Sequence, residues 1–143
     1  MHNIKGKFFN VLKNIYTNDQ SCVKFENQIT QLFTINRGIR QVCVLSPLLF
    51  NIFLSDLPKK LEKAKGKLKL DSSEINALIW ADDVVLLCEN EENLSEMLDI
   101  VERYCIENKL TINTEKTKCM IFNKTGRLLR SRFYLAGKEL ENV

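Results

Sequence analysis

Two short apolar runs on either side of an adjacent aspartate pair constrain the fold of this chain more than any other feature. Residues 75–80 and 84–88 are rich in β-prone side chains, and Ala81, Asp82 and Asp83 separate them. Two such runs around a tight polar break are typical of an antiparallel β-hairpin. The sequence therefore predicts a hairpin that carries Asp82 and Asp83 at its turn.

The aspartate pair is a candidate metal site. Two adjacent ionised carboxylates repel each other, so solvent or cations must offset their charge. Magnesium is bound by carboxylate oxygens, commonly by one or two of them together with substrate phosphates. Two metal ions about 4 Å apart activate an attacking hydroxyl and stabilise a leaving oxygen in phosphoryl transfer. The alternative is an ordinary solvated turn, since two neighbouring aspartates also occur in turns without function.

Composition limits the class of protein. The chain has 143 residues, 45% of them hydrophobic and 27% charged, which is typical of one soluble globular domain. The longest apolar stretches, 45–57 and 77–88, contain polar residues and are shorter than the about 18 residues that span a membrane. The start of the chain lacks the apolar core of a secretory signal. We therefore expect one domain over residues 1–143 and no membrane partner.

The cysteines indicate a reducing environment. Five cysteines are present without close pairs, and the chain has one histidine, His2. An odd number of cysteines without C-x-x-C spacing argues against a disulfide framework and against structural zinc. We expect an intracellular protein, with nucleus and cytoplasm both open.

Charge is partitioned along the chain. Residues 1–70 carry a net charge of +8, residues 71–107 carry −10 and residues 108–143 carry +5. Basic segments suit a polyanion, and the acidic block around Asp82 suits cations. The alternative is that these charges lie on solvated helix faces.

The remaining pattern predicts a mixture of helices and strands. The pattern predicts an amphipathic helix over 6–17 and a long helix after Asn90. It also predicts a largely buried helix over 48–57, for which Ser46 and Pro47 are the start signal. The predicted strands besides the aspartate hairpin cover 22–25, 31–36, 118–122 and 132–135. Helices mixed with antiparallel hairpins indicate an α+β fold, which we expect to be one layer of sheet backed by two main helices.

Three segments follow one another in a distinctive order. Residues 37–50 read RGIRQVCVLSPLLF, residues 79–83 read IWADD and residues 110–118 read LTINTEKTK. Over roughly residues 10–137 the chain thereby resembles the reverse transcriptases of non-long-terminal-repeat (LINE-type) retrotransposons. The corresponding family segments are G-x-x-Q-G-x-x-x-S-P-x-L-F, an aromatic residue followed by Ala-Asp-Asp, and L-x-I-N-x-x-K-T-K.

The resemblance implies an RNA-directed DNA polymerase, with this chain forming a large part of its palm. The implied reaction is nucleotidyl transfer onto a primer 3′-OH, and the implied partners are an RNA template, a DNA primer and deoxynucleoside triphosphates. Asp82 and Asp83 match the acids of the palm hairpin, which implies that they are catalytic and bind Mg²⁺, with Asp82 the more direct ligand.

The resemblance also implies a nucleotide and template site. Gln41 and Ser46 match the loop that contacts the template and the incoming nucleotide, Arg40 is expected to reach phosphates, and Lys116 is expected near the triphosphate. Three of these residues have an alternative role: Gln41 closes the loop, Lys116 is a solvated turn lysine, and Arg40 is an ordinary surface charge.

The chain departs from the family pattern in two places. Val42 stands where the family has glycine, and a β-branched residue disfavours positive φ and fills space near the nucleotide. No segment before Gln41 resembles the family's F-x-D-x-x-x-A-F-D motif, which carries the first catalytic aspartate, and the thumb is missing. We expect a palm fragment with an incomplete two-metal site that is inactive alone. The alternatives are a non-catalytic nucleic-acid-binding relic and an enzyme whose missing strand comes from a longer or second chain.

Overall fold

The computed structural model describes residues 4–17, 19–35, 38, 43–123 and 131–143. The chain divides into two compact units, Met1–Ile52 and Phe53–Val143. Both contain helix and strand, so the mixed α and β class is confirmed. The predicted single layer of sheet is wrong for the described residues, because their strands form six separate two-stranded sheets.

The described part of the first unit contains one complete helix, α1, over Gly6–Tyr16, which confirms the predicted amphipathic helix. Its strands are β1 (Gln20–Ser21), β2 (Lys24–Phe25), β3 (Gln28–Ile29) and β4 (Phe33–Thr34). The antiparallel pairs are β2 with β3 and β1 with β4. The strands predicted over 22–25 and 31–36 are shorter in the structure, as β2 and β4, and β2 pairs with a strand that starts at Gln28. The reason is that Glu26 takes a positive φ of 52°, which allows a two-residue turn.

Apolar burial is sparse in the first unit. Within its described part, Ser46 is buried and no large apolar side chain is. Phe25 is 72% exposed and Ile29 is 65% exposed. The β2–β3 hairpin is therefore held mainly by backbone hydrogen bonds.

Helix α2 covers Ser46–Leu54 and starts where Ser46 and Pro47 predict. The expected burial of this apolar helix is wrong, because Leu48 is 57% exposed and Phe53 is 43% exposed. Helix α3 then covers Leu57–Leu61, with Pro58 in its first turn. Proline lacks the backbone donor that a helix interior requires, so a new helix begins here.

The second unit holds α3, the long helix α4 over Glu91–Glu107 and most of the strands. The strands are β5 (Leu68–Leu70), β6 (Ser73–Ile75), β7 (Ala77–Trp80), β8 (Asp83–Leu86), β9 (Lys118–Cys119), β10 (Tyr134–Leu135), β11 (Lys138–Glu139) and β12 (Glu141–Asn142). Three pairs are antiparallel, β5 with β6, β7 with β8 and β10 with β11. The pair of β9 with β12 is parallel.

Helix α4 is the centre of the second unit. The Asn90 side chain caps it by accepting a hydrogen bond from the backbone N–H of Asn93 at 2.9 Å, as the sequence predicts. One side of α4 contributes Leu98 to a buried cluster. The other members of that cluster are Cys119, Phe133, Leu135 and Leu140. These contacts attach the C-terminal strands to α4.

No described helix has the length and apolar character needed to cross a membrane. All five cysteines are free thiols, and burial ranges from exposed Cys22 to buried Cys119.

Candidate functional site

The candidate site is built on the antiparallel pair β7–β8. Its register ends with Trp80 opposite Asp83, so Ala81 and Asp82 form a two-residue connection. Ala81 has a positive φ of 52°, a conformation that a short hairpin connection favours although it costs a non-glycine residue about 1 kcal/mol. Asp82 is therefore at the tip of the hairpin, and Asp83 is the first residue of β8.

The two faces of the hairpin differ in burial. One face is half-buried and consists of Ala77, Ile79, Val84 and Leu86. Leu86 packs against the buried cluster of the second unit, so this face anchors the hairpin. The opposite face is exposed and consists of Leu78, Trp80, Asp83 and Val85. Because side chains alternate along a strand, anchoring one face directs Asp83 to solvent.

Asp82 and Asp83 are both exposed. Within the described residues, neither carboxylate forms an ion pair, and no group of three or more His, Cys, Asp or Glu residues is arranged to hold a metal ion. The pair therefore offers carboxylate oxygens that no described lysine or arginine engages. Hard oxygen donors on one or two carboxylates suit Mg²⁺ when phosphates or water supply the other ligands.

Of the other candidate residues, Lys116 and Ser46 are among the described residues, whereas Arg40 and Gln41 are not. Lys116 is an exposed turn residue, and its backbone N–H donates to Asn113 Oδ1 at 3.2 Å. No ion pair joins the Lys116 side chain to either aspartate in the described part of the chain. Arg40 and Gln41 lie outside the described residues, as does Val42.

Ser46 is only 4% exposed. Its Oγ lies 3.4 Å from the hydroxyl of Tyr16, and its backbone N–H donates to the carbonyl of Cys43 at 3.1 Å. The backbone N–H of Leu45 and then the Ser46 hydroxyl lower the pKa of the Cys43 thiol. Ser46 therefore organises the start of α2 from inside the first unit.

A lysine-rich run, residues 59–69, lies beside the hairpin, and the sequence alone does not predict this position. Lys67, Glu62 and Glu74 line an open depression of about 610 Å³ together with residues 75–79, which include most of β7. The Asn76 side chain donates to the carbonyl of Leu61 at 2.5 Å. The lysine-rich run is visible in the sequence, but its position next to β7 depends on tertiary contacts.

Comparison with known proteins identifies similar sequences. The model of the family described as reverse transcriptase (RNA-dependent DNA polymerase) matches residues 2–136. The Pol polyprotein of the type-1 retrotransposable element R2 from Nasonia vitripennis is 35% identical over 91 residues, which is 64% of this chain and 9% of that protein.

Two further relatives come from fruit flies. The Pol polyprotein of the type-2 retrotransposable element R2DM from Drosophila melanogaster is 28% identical over 143 residues, which is 95% of this chain and 13% of that protein. The RNA-directed DNA polymerase from mobile element jockey of Drosophila funebris is 24% identical over 130 residues, with coverages of 87% and 14%. The chain thus spans about a tenth of the length of these relatives.

Proposed function

We propose that this chain, which belongs to the reverse transcriptase (RNA-dependent DNA polymerase) family, supplies the aspartate hairpin of a polymerase palm. The reaction is transfer of a deoxynucleotide onto a primer 3′-OH under the direction of an RNA template. One observation carries the proposal: β7 and β8 hold Asp82 at an exposed tip and Asp83 on an exposed face, next to each other.

Asp82 and Asp83 are the residues that would hold Mg²⁺, with Asp82 the more direct ligand. When bound, the metal would activate the primer hydroxyl and stabilise the leaving oxygen. The protein determines where the carboxylates of Asp82 and Asp83 lie. The two-residue turn sets Asp82 at the tip, and the pairing of Asp83 with Trp80 fixes the face on which its carboxylate lies. The packing of Leu86 against the core limits movement of the strand that carries Asp83.

The surrounding residues take supporting roles in this proposal. Arg40 and Gln41 contact the template and the incoming nucleotide. Lys116 is exposed and available to pair with the triphosphate. The burial of Ser46 favours a positioning role for this residue, in which it supports the loop that precedes α2.

The aspartate pair is proposed to be part of a larger site. Two-metal phosphoryl transfer requires carboxylates held in register by more than one strand, and an error of about 1 Å can cost a hundredfold in rate. Asp82 and Asp83 come from one hairpin, so we propose that further ligands must join them. The isolated chain of 143 residues is therefore expected not to extend a primer.

A chimeric polymerase tests the function. The segment of the R2DM polyprotein that aligns with this chain is replaced by this chain, and incorporation of deoxynucleotides on an RNA template with Mg²⁺ is measured. We expect incorporation that Asp82→Asn reduces by at least about a hundredfold, because losing a metal ligand removes several kcal/mol of transition-state stabilisation. Asp71→Asn is the matched control, since Asp71 is an exposed aspartate at the turn of β5–β6.

The outcomes separate the parts of the proposal. Equal loss in the Asp82→Asn and Asp71→Asn chimeras would contradict a catalytic role for Asp82. Incorporation by the isolated chain that Asp82→Asn abolishes would support the reaction but contradict the incomplete site. Calorimetric titration of the isolated chain with Mg²⁺ tests the same aspartates without a chimera, and binding unchanged by Asp82→Asn would overturn the metal role.

A second candidate function is nucleic-acid binding without catalysis, favoured by the net charge of +8 over residues 1–70. Basic residues bind phosphate backbones without sequence preference. This candidate is preferred if the isolated chain binds duplex while the chimera, folded as judged by circular dichroism, incorporates no nucleotide.

A further inference from the structure

A lysine segment, defined here as residues 59–69, carries six lysines and one acidic residue, Glu62. It runs from helix α3 into strand β5. The lysines are Lys59, Lys60, Lys63, Lys65, Lys67 and Lys69. This concentration of one charge within eleven residues requires anions in the protein, in solvent or in a partner.

Three of these lysines have an acidic neighbour within the chain. Lys59 Nζ lies 3.5 Å from Asp56, Lys60 Nζ lies 2.5 Å from Glu107, and Lys69 is opposite Glu74 in the β5–β6 register. These neighbours offset half of the positive charge of the lysine segment.

The other three lysines are Lys63, Lys65 and Lys67, of which Lys67 shares its depression with Glu62 and Glu74. Lys63 and Lys65 are exposed and Lys67 is half-buried, and none of the three forms an ion pair with a described carboxylate. Three ammonium groups within five residues therefore remain available to an external anion.

The position of these three lysines relative to the aspartate hairpin is fixed by contacts within the second unit. Asn76 immediately precedes β7, and its side chain holds the carbonyl of Leu61 at 2.5 Å. The backbone N–H of Glu89 donates to the carbonyl of Gly66 at 3.2 Å. Lys67 lines the same depression as the residues of β7. The lysine segment is therefore tied to the base of the hairpin that carries Asp82.

The distance from base to tip suits a nucleic-acid duplex. Strand β7 has four residues, Ala77–Trp80, which corresponds to about 13 Å of extended chain. Duplex phosphates follow one another at about 3.4 Å along each strand, so a duplex end at the tip would bring phosphates about four base pairs away to the level of the lysines.

An anionic membrane surface fits these observations less well than a polynucleotide. Within the lysine segment Leu61 and Ala64 are buried and Leu68 is half-buried, and Leu70 just after it is 57% exposed. A single exposed leucine is not the apolar face that an interfacial helix inserts into lipid.

We propose that Lys63, Lys65 and Lys67 bind the phosphate backbone of a nucleic-acid duplex at the base of the β7–β8 hairpin. The choice of a polynucleotide as partner rests on the proposed function. The contact is independent of sequence, because ammonium groups that meet phosphates carry no base information. Its role is to hold the duplex while its end lies at the aspartate pair.

The test compares two triple variants of the complete chain that lose the same charge. The clustered variant is Lys63→Gln, Lys65→Gln and Lys67→Gln, and the scattered control replaces three exposed lysines elsewhere, Lys13, Lys109 and Lys138, with Gln. Binding to an RNA–DNA duplex of 20 base pairs is measured by fluorescence anisotropy between 50 and 300 mM KCl. Each lost phosphate contact lowers the salt slope by about 0.9, so we expect the clustered variant to lose about 2 to 3 of the slope and at least about tenfold in affinity at 100 mM KCl.

Three outcomes would overturn the inference: equal loss in the clustered and scattered variants, no salt-dependent duplex binding by the unmodified chain, or tighter binding to phosphatidylserine vesicles than to duplex. Circular dichroism checks the fold, and the exposed pair Lys63→Gln with Lys65→Gln replaces the triple variant if that variant unfolds. Asp82→Asn is expected to leave the salt slope unchanged. An inactive chimeric polymerase with an intact salt slope would therefore reject the proposed reaction and retain the lysine contact.

Discussion

Asp83 lies directly opposite Trp80 at the end of the β7–β8 pair. Trp80 is the chain's one tryptophan and is 83% exposed. Cross-strand neighbours have Cβ atoms about 5 Å apart, so a cation held by Asp82 and Asp83 would lie close to the indole ring. The hairpin thus combines a candidate metal site with a single intrinsic fluorophore.

Mn²⁺ is expected to quench the fluorescence of Trp80, because it is a paramagnetic ion that takes the same oxygen ligands as Mg²⁺. The double variant Asp82→Asn with Asp83→Asn should remove the saturable part of the quenching. Competition with Mg²⁺ should restore fluorescence in the unmodified chain. The matched control replaces Glu91 and Glu92 with Gln, since they are also adjacent exposed acids. Equal quenching of the two double variants would contradict metal binding at the hairpin.

Tyr104 connects α4 to Phe53, near the end of α2, by a hydrogen bond that can be removed alone. Its ring is 2% exposed, its hydroxyl donates to the carbonyl of Phe53 at 3.0 Å, and Lys60 Nζ lies 5.3 Å from its ring centroid. Tyr104→Phe keeps the ring and the lysine contact and removes only the hydrogen bond. It should therefore lower the free energy of unfolding by about 1 kcal/mol. Urea unfolding measures this change.

The control for Tyr104 is Tyr134→Phe, because Tyr134 is 54% exposed. This variant should unfold at the same urea concentration as the unmodified chain. Equal urea midpoints for the two variants would show that the hydroxyl of Tyr104 contributes nothing to stability.

Local signals explain which parts of the fold the sequence predicts. Helix α4 follows from apolar residues at helical spacing and from Asn90, whose cap involves a residue three positions away. The exposed position of Asp82 at the hairpin turn, with Asp83 directly after it, follows from the two β-prone runs around them. In both cases the decisive interactions join residues close in sequence, so the pattern contains the information.

Other parts of the fold depend on contacts between distant residues. The parallel partner of Lys118 in β9 is Glu141 in β12, and no local pattern specifies a pairing over such a separation. Strand β5 has three residues, and the alternation of Lys67 and Lys69 with leucines is too short to distinguish a strand from a solvated basic run. The expected burial of Leu48 failed because hydrophobicity gives a tendency to be buried, whereas exposure depends on which surfaces meet.

Gly66 has a conformational and a packing requirement that no other residue type meets. Its φ is +72°, and a Cβ at this position would overlap the side chain of Asn93. Gly66→Ala is expected to lower the free energy of unfolding by about 1 kcal/mol for the left-handed backbone and by about 1 to 3 kcal/mol for overpacking. Thermal or urea unfolding measures the loss.

Gly137→Ala separates these two contributions. Gly137 has the same φ of +72°, but nothing lies within 4 Å of a Cβ built there. This variant should therefore lose only the backbone contribution. A loss at Gly137 as large as that at Gly66 would contradict the predicted overlap with Asn93.

Glu107 and Lys60 make one part of the stability depend on pH. The hydrogen bond from Lys60 at 2.5 Å and then its positive charge lower the pKa of Glu107 from its ordinary value of 4.5. A carboxylate whose pKa is lower in the folded state stabilises the fold fully above its unfolded pKa, and the contribution is lost as pH falls through the folded value. The pair should therefore stabilise the protein at pH 7 and lose that contribution as pH falls below 4.5 and through the lower pKa of the folded state.

The variant Glu107→Gln tests this dependence, because glutamine keeps the shape of the side chain and cannot ionise. Its unfolding midpoint in urea should be lower than that of the unmodified chain at pH 7, and the difference should shrink towards pH 3. Glu96→Gln is the control on the same helix, since Glu96 is exposed and forms no ion pair with a described residue. A difference for Glu107→Gln that stays constant from pH 7 to pH 3, or that Glu96→Gln reproduces, would contradict the assignment of this pH dependence to Lys60 and Glu107.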